Sequence, residues 1–334
     1  MLVCVAPGVD FEWVSIVAML SILSITGPIY LAVLLGFACT RLGLFARADM
    51  RLFGKFVINL ALPALLFNAL SSRSVGEILN PGYMGAYALA GLLVIALGLL
   101  SARLLGRHPM HYASMFAMGM SCPNSGFVGY PVLLLSLGGS VAGVGLALNM
   151  MVENLLLIPL LLAVADLDGG KGTALQVVLR TLKGLTRNPM IIAIVAGLLA
   201  SLLGWTPPLA VSRTVNLFAQ ASGALSLFVI GGSLAGQSLR GMGLPVLQIT
   251  LGKLVLHPLI MLAVLTWLVP VADPQLRTAV LLTTAMPIMG IYTILSQRHG
   301  HEGISAAALL ATTAASFFTL SGLLWWLRQL GWLA

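Results

Sequence analysis

Stretches of about 20 apolar residues, the length an α-helix needs to cross the hydrocarbon core of a bilayer, follow one another along almost the whole chain. Lipid offers no partner to backbone N–H and C=O groups, so apolar segments this long cross only as helices. Set against polar or turn-rich breaks, the pattern predicts spans over 18–40, 54–72, 82–105, 110–137, 140–165, 188–204, 208–236, 243–269, 275–297 and 302–327. The expected fold class is an all-α polytopic membrane protein with ten transmembrane helices. Only 8% of the residues are charged, which leaves no stretch for a separate soluble domain.

Charge placement orients the spans, because cytoplasmic loops retain Lys and Arg. One set of alternating loops carries Arg41, Arg47, Arg51, Lys55, Arg103, Arg107, Lys171, Arg180, Lys183, Arg187, Arg240 and Arg298, twelve in all. The opposite set carries only Arg73, Arg213, Arg277 and Arg328, and Lys253 lies inside a span. The expected location is a cell's inner (plasma) membrane, with both termini outside the cytoplasm. The net charge of +8 would suggest nucleic acid in a soluble chain; here the basic residues sit in short loops, and no nucleic-acid partner is expected beside the lipid bilayer. The chain divides into an N-terminal extension (1–17, with Met19 available as a start), a first five-helix repeat (18–165), a cytoplasmic loop (166–187), a second five-helix repeat (188–327) and a C-terminal tail (328–334). Five spans per half make any half-to-half repeat inverted in the membrane.

Two spans are interrupted alike. Ser121-Cys122-Pro123-Asn124-Ser125-Gly126 is matched, 164 positions on, by Ala285-Met286-Pro287-Ile288-Met289-Gly290. Both fall in the fourth span of their half. A repeated Pro-x-x-Gly at bilayer depth implies unwound backbone, which is tolerated only where it is buried in protein or lines a cavity. Taken singly, Pro123 and Pro287 read as ordinary kinks; the matched pair, with Gly126 and Gly290, points instead to a carrier whose substrate sits where two broken helices meet. Asn124 follows Pro123 at a freed half-helix end, where an amide can bind a carboxylate or ligate a cation.

Glu153 falls near the middle of the fifth span, where an ionised carboxylate costs on the order of 3 kcal/mol by insertion scales. Asn149, one turn earlier, and Asn154 beside it complete a polar spot that reads either as a cation or proton site or as a hydrogen-bonded packing knot. Thr250, Lys253 and His257 form one stripe of the eighth span. Lys253 is a partner for Glu153 or for an anionic substrate, whereas His257 reads more simply as a satisfied interior histidine. Thr312, Ser316 and Thr319 share a face of the last span and read as interhelical hydrogen bonding. The pairs Gly139/Gly143 and Gly232/Gly236 read as close helix packing. Trp325, Trp326 and Trp332 suit the outer interface.

Cys4, Cys39 and Cys122 have neither C-x-x-C nor Cys/His spacing, so no disulfide framework or metal site is expected. The chain contains no H-E-x-x-H, G-x-S-x-G or Walker motif, and no enzyme activity is expected. No cofactor is implied, apart from H+ or Na+ as a coupling ion.

At Leu60-Ala61-Leu62-Pro63-Ala64-Leu65-Leu66-Phe67, Pro123-Asn124-Ser125-Gly126-Phe127-Val128-Gly129-Tyr130-Pro131, Lys253 with Pro258, and Pro287, the chain resembles the auxin efflux carrier family, which includes plant auxin carriers and bacterial malonate carriers. The resemblance implies two inverted five-helix repeats. Spans 1, 2, 6 and 7 would form a scaffold, with a homodimer through spans 2 and 7, and spans 3–5 and 8–10 a moving core whose broken helices 4 and 9 cross at Pro123 and Pro287. It further implies a small organic carboxylate as substrate, bound near Asn124 and moved by alternating access. The chain departs from the family in span 7, where Ala224-Leu225-Ser226-Leu227 replaces a common proline. The absence of the plant members' long loop favours a bacterial-type, malonate-carrier-like protein. A sodium-coupled carrier of bile-acid type is the alternative, and a membrane receptor or sensor a more distant one.

Overall fold

The computed structural model describes residues 11–166, 176, 179, 183–235 and 243–333, so the segment 1–10, most of the 166–187 loop and Gly236 fall outside the described residues. Those described are helical, with no strand among them. In chain order the helices are α1 (Phe11–Arg41), α2 (Arg47–Ser71), α3 (Val75–Leu104), α4 (Met110–Ser121), α5 (Ser125–Leu137), α6 (Gly139–Ala165), α7 (Pro189–Leu202), α8 (Leu209–Leu234), α9 (Leu244–Leu268), α10 (Pro274–Thr284), α11 (Tyr292–Gln297) and α12 (Glu302–Gln329). Six of these, α2, α3, α6, α8, α9 and α12, are long and apolar enough to cross a membrane.

Three helix starts follow an Asx-Pro pattern. Asn80 Oδ1 accepts from Tyr83 N at 2.8 Å at the head of the main run of α3, Asn188 Oδ1 from Met190 N at 3.0 Å in α7, and Asp273 Oδ1 from Gln275 N at 2.8 Å in α10. In each case proline follows the cap, where its missing N–H costs nothing and its fixed φ suits the first turn.

Prolines farther inside the helices leave a different mark. Five of the six π-helical segments described, Val57–Ala61, Ser125–Gly129, Glu153–Leu157, Gly252–Leu256 and Val264–Leu268, end two residues before a proline. A proline cannot donate to the carbonyl four residues back and its ring clashes with that carbonyl. Widening the preceding turn relieves the clash, and such bulges recur at functional sites. Glu153 and Lys253 both sit in these widened turns.

The helices pack pairwise. α1 lies on α8, and α2 on α7 and α8; α3 lies on α4, α5 on α6, α4 on α9, α9 on α10, and α11 on α12. The α1–α8 contact is made by glycine. A Cβ on Gly36 would come within 2.0 Å of Phe228 O, and one on Gly231 within 1.8 Å of Val33 O. Gly232 meets Met50 and Thr40, and Gly143 meets Ala69, so both act as close-approach positions; Gly139 has only ordinary contact with Leu134. Without a hydrophobic driving force between helices in lipid, such close approach is the main source of attraction. Gly231→Val therefore forces α1 and α8 apart, with an expected loss of about 1–3 kcal/mol. Thermal unfolding of the purified variant measures it, and an unchanged midpoint would contradict the packing argument.

The chain's end returns to the head of α10: the Arg277 guanidinium lies 4.1 Å over the Trp332 ring. The two positions belong to the same side in the charge pattern of the loops.

Candidate functional site

α4 has 12 residues and α10 has 11, lengths of about 17–18 Å at 1.5 Å per residue, or roughly half the ~30 Å hydrocarbon core. Both stop in the interior, and their unwound ends meet. Pro123 and Ile288 form an isolated antiparallel bridge, in which Asn124 N donates to Pro287 O at 2.8 Å and Met289 N donates to Cys122 O at 3.2 Å. Each break thus satisfies backbone groups that the other break freed, which is how non-helical chain survives at membrane depth. A third contact comes from α12, where Thr312 Oγ1 accepts from Ile288 N at 3.5 Å.

Beyond the bridge the chain resumes at α5. Asn124 is 4% exposed; its Oδ1 accepts from Phe127 N at 3.1 Å, and its carbonyl from Val128 N and Gly129 N. The side chain therefore caps a half-helix N-terminus, where backbone dipoles favour an anion. Its NH2 group has no hydrogen-bond partner among the described residues and remains available as a donor. Gly126 is buried, and a Cβ there would stand 3.1 Å from Leu62 Cδ1. Gly290 is exposed, and nothing lies within 4 Å of its Cβ position, so the second break borders open space where the first borders α2.

Around the crossing runs a buried polar network. Glu153 Oε1 accepts from Tyr87 Oη at 2.6 Å and from Ser125 Oγ at 2.5 Å. One turn earlier, Asn149 Oδ1 accepts from Tyr83 Oη at 2.8 Å, and Asn149 Nδ2 donates to Thr283 Oγ1 at 3.1 Å. Two pairs at helical spacing of four, Tyr83/Tyr87 on α3 and Asn149/Glu153 on α6, are thus laid side by side. The first rung reaches the second broken helix through Thr283, and the second rung reaches the first broken helix through Ser125. Glu153 is 2% exposed, and no ion pair joins it to another described residue.

Lys253 is fully buried on α9. Its Nζ donates to Thr284 O at 2.5 Å and lies 3.3 Å from His257 Nδ1. It thereby binds the carbonyl end of α10, where a cation opposes the helix dipole, rather than Glu153. His257 Nε2 is buried without a hydrogen-bond partner among the described residues, so this histidine is only half satisfied. Asn154 stands apart, since its amide donates back to Met150 O at 2.9 Å and makes no contact with the crossing. Thr250 likewise bonds within its own helix, to Val246 O.

Sequence reasoning missed Tyr83, Tyr87, Ser125 and Thr283; Thr312, which it read as interhelical hydrogen bonding, makes such a bond to the second break. A signal existed for the tyrosines: their spacing of four repeats that of Asn149 and Glu153.

A multi-pass helical protein in which two interrupted helices tie each other's backbone together inside the membrane has the architecture of a carrier. Residues 22–325 match the model of the family described as "Membrane transport protein", and the chain belongs to that family, which bears out the auxin efflux carrier resemblance. It is a membrane transporter and not an enzyme. Over 310 residues it is 30% identical to a protein of Rhizobium meliloti (strain 1021) named "Putative malonate transporter", covering 90% of this chain and 94% of the relative. It is also 28% identical over 243 residues to the "Uncharacterized transporter YfdV" of Escherichia coli (strain K12), covering 71% of this chain and 76% of the relative.

Proposed function

We propose that this protein is a secondary active transporter that moves a small organic carboxylate, malonate or a close relative, by alternating access at the Pro123–Pro287 crossing. The observation that carries the reading is the reciprocal backbone pairing of the two breaks beside Asn124, whose NH2 is unpartnered among the described residues. A half-helix N-terminus and a free amide make a site for one carboxylate group. The name of the Rhizobium meliloti relative supports malonate within this class.

In this reading the chain forms two inverted repeats, 18–165 and 188–327. Helices α1, α2, α7 and α8 make the scaffold, with a homodimer through α2 and α8. Helices α3–α6 and α9–α12 make the moving core. The protein sits in the inner membrane with both termini outside. Pro123, Gly126, Pro287 and Gly290 shape the pocket, Asn124 and Lys253 supply donor and charge, and Glu153, Asn149 and His257 serve the coupling ion. Asn154 has no geometric support for that role.

The test is uptake of radiolabelled malonate into proteoliposomes holding the purified protein, with pH and sodium gradients imposed separately. Saturable uptake inhibited by unlabelled malonate is the expected result. Sodium dependence would make the coupling like that of carriers of the bile-acid type, and no saturable flux of any carboxylate across a panel would remove the proposal.

A further inference from the structure

The described residues also line an open cavity of about 410 Å³ away from the crossing itself. Its walls come from α2, α5, the head of α6 and α8. They include Arg73, Asn68, Ser140, Asn216 and Gln220, and no Asp or Glu. The volume is that of a small-molecule site. Asn216 and Gln220, four apart on one face of α8, are amides on a helix long and apolar enough to cross a membrane. Such groups belong against water or a ligand rather than lipid. Neither they nor the Asn68 side chain nor the Arg73 guanidinium has a hydrogen-bond or ion-pair partner among the described residues. The nearest acid in sequence, Glu77, is engaged by Ser74 Oγ at 2.7 Å.

The cavity leads toward the crossing. Its inner wall includes Tyr130, six residues beyond Asn124 and so about 9 Å along the helix. It also includes Leu65, one turn from the Leu62 that touches the Gly126 position. Its outer end is Arg73, which the charge pattern places on the non-cytoplasmic side. A lone guanidinium ringed by amides and hydroxyls, with no acid to neutralise it, recognises an oxyanion, and its planar fork matches a carboxylate in bidentate fashion.

We infer that Arg73, with Asn68, Asn216 and Gln220, forms a second carboxylate-binding subsite that captures the substrate from the outer side before it reaches Asn124. The inference rests on the transport reading and names a selectivity step within it: the subsite admits carboxylates and excludes their neutral amides. One guanidinium and three amides take one carboxylate group at a time, so the occupant is one end of the same molecule that later sits at the crossing.

The Arg73 side chain is dispensable for folding by its contacts, since Ser201 Oγ binds its carbonyl and Leu70 O its N–H. Arg73→Gln and Arg73→Lys proteins, titrated calorimetrically with malonate and with its neutral diamide and assayed for flux, test the assignment. The expected result is at least about ten-fold weaker malonate binding and a correspondingly raised KM for Arg73→Gln, with Vmax kept and partial recovery in Arg73→Lys. The diamide should fail to bind the wild-type protein. Unchanged malonate binding and KM in Arg73→Gln, or diamide binding equal to malonate, overturns the subsite. If flux depends on Asn124 but not on Arg73, the subsite falls while the transport reading stands. If the wild-type protein moves no carboxylate, the transport reading falls and the titration still decides the subsite.

Discussion

Asn124→Asp is expected to cut malonate flux at least ~100-fold while leaving the protein folded. The substitution is close to isosteric, and Asp is as good a helix cap as Asn, so the bond that Phe127 N now gives to Asn124 Oδ1 is kept. What changes is the outward half of the group: an unpartnered NH2 donor becomes a carboxylate oxygen. Hydrogen bonds to charged partners are worth about 1.5–3 kcal/mol, and that contact is lost. Two like charges about 4 Å apart in an effective dielectric near 20 add about 4 kcal/mol of repulsion. Either effect alone exceeds the ~1.4 kcal/mol that corresponds to a factor of ten in rate. Asn124→Ser separates the two, because it keeps a cap and puts a shorter hydroxyl where the NH2 reached outward, without adding charge, so a loss nearer ten-fold is expected. Flux in proteoliposomes, alongside thermal unfolding to establish folding, makes the measurement. Asn124→Asp protein that carries malonate at the wild-type rate would place the substrate elsewhere.

The contrast between what the residues declared in advance and what only the fold disclosed has a physical cause. Pro123 and Pro287 advertise their breaks because proline acts locally, on its own turn, and the Pro-x-x-Gly repeat is readable without any tertiary knowledge. Glu153 is equally legible, since a carboxylate in an apolar helix has few places to go. Tyr83 and Tyr87 are silent in the chain because a tyrosine serves equally well in the core or at the interface; only their hydroxyl contacts with Asn149 and Glu153 give them a part. Lys253 suggested a partner for Glu153 or for an anionic substrate, and its Nζ holds the carbonyl end of α10 rather than Glu153. The helix end formed at Thr284 offered a partner that no linear reading places nearby. Asn154 was grouped with Glu153 by adjacency, yet neighbouring helical residues point about 100° apart, and its amide turns back to Met150. The cavity was beyond reach altogether, because Arg73, Ser140 and Gln220 come from three separate stretches of chain.

Glu153→Gln is expected to uncouple transport rather than stop it. Moving a dianion into a cell held at about 150 mV, negative inside, opposes roughly 7 kcal/mol at about 2.3 kcal/mol per charge per 100 mV, equivalent to a concentration ratio of about 10⁵. Accumulation inward therefore requires cations to travel with the substrate. Among the groups around the crossing, Glu153 is the acid: it is buried, it lies on α6 in a widened turn, and its Oε1 is tied by Ser125 to the half-helix that Asn124 caps. A cation or proton taken up by this carboxylate reports directly to the substrate end of the broken helix. Glutamine keeps an acceptor oxygen for Tyr87 and Ser125, so the network and the crossing survive, and only the capacity to carry charge is removed. Wild-type vesicles should concentrate malonate under an imposed proton or sodium gradient. Glu153→Gln vesicles should still exchange internal for external malonate, since exchange moves no net charge, but should bring the inside concentration no higher than the outside. Equal accumulation by both proteins would free Glu153 from the coupling role and turn the search toward His257, whose Nε2 is buried without a partner. Loss of exchange as well as accumulation would instead make Glu153 part of the substrate pathway.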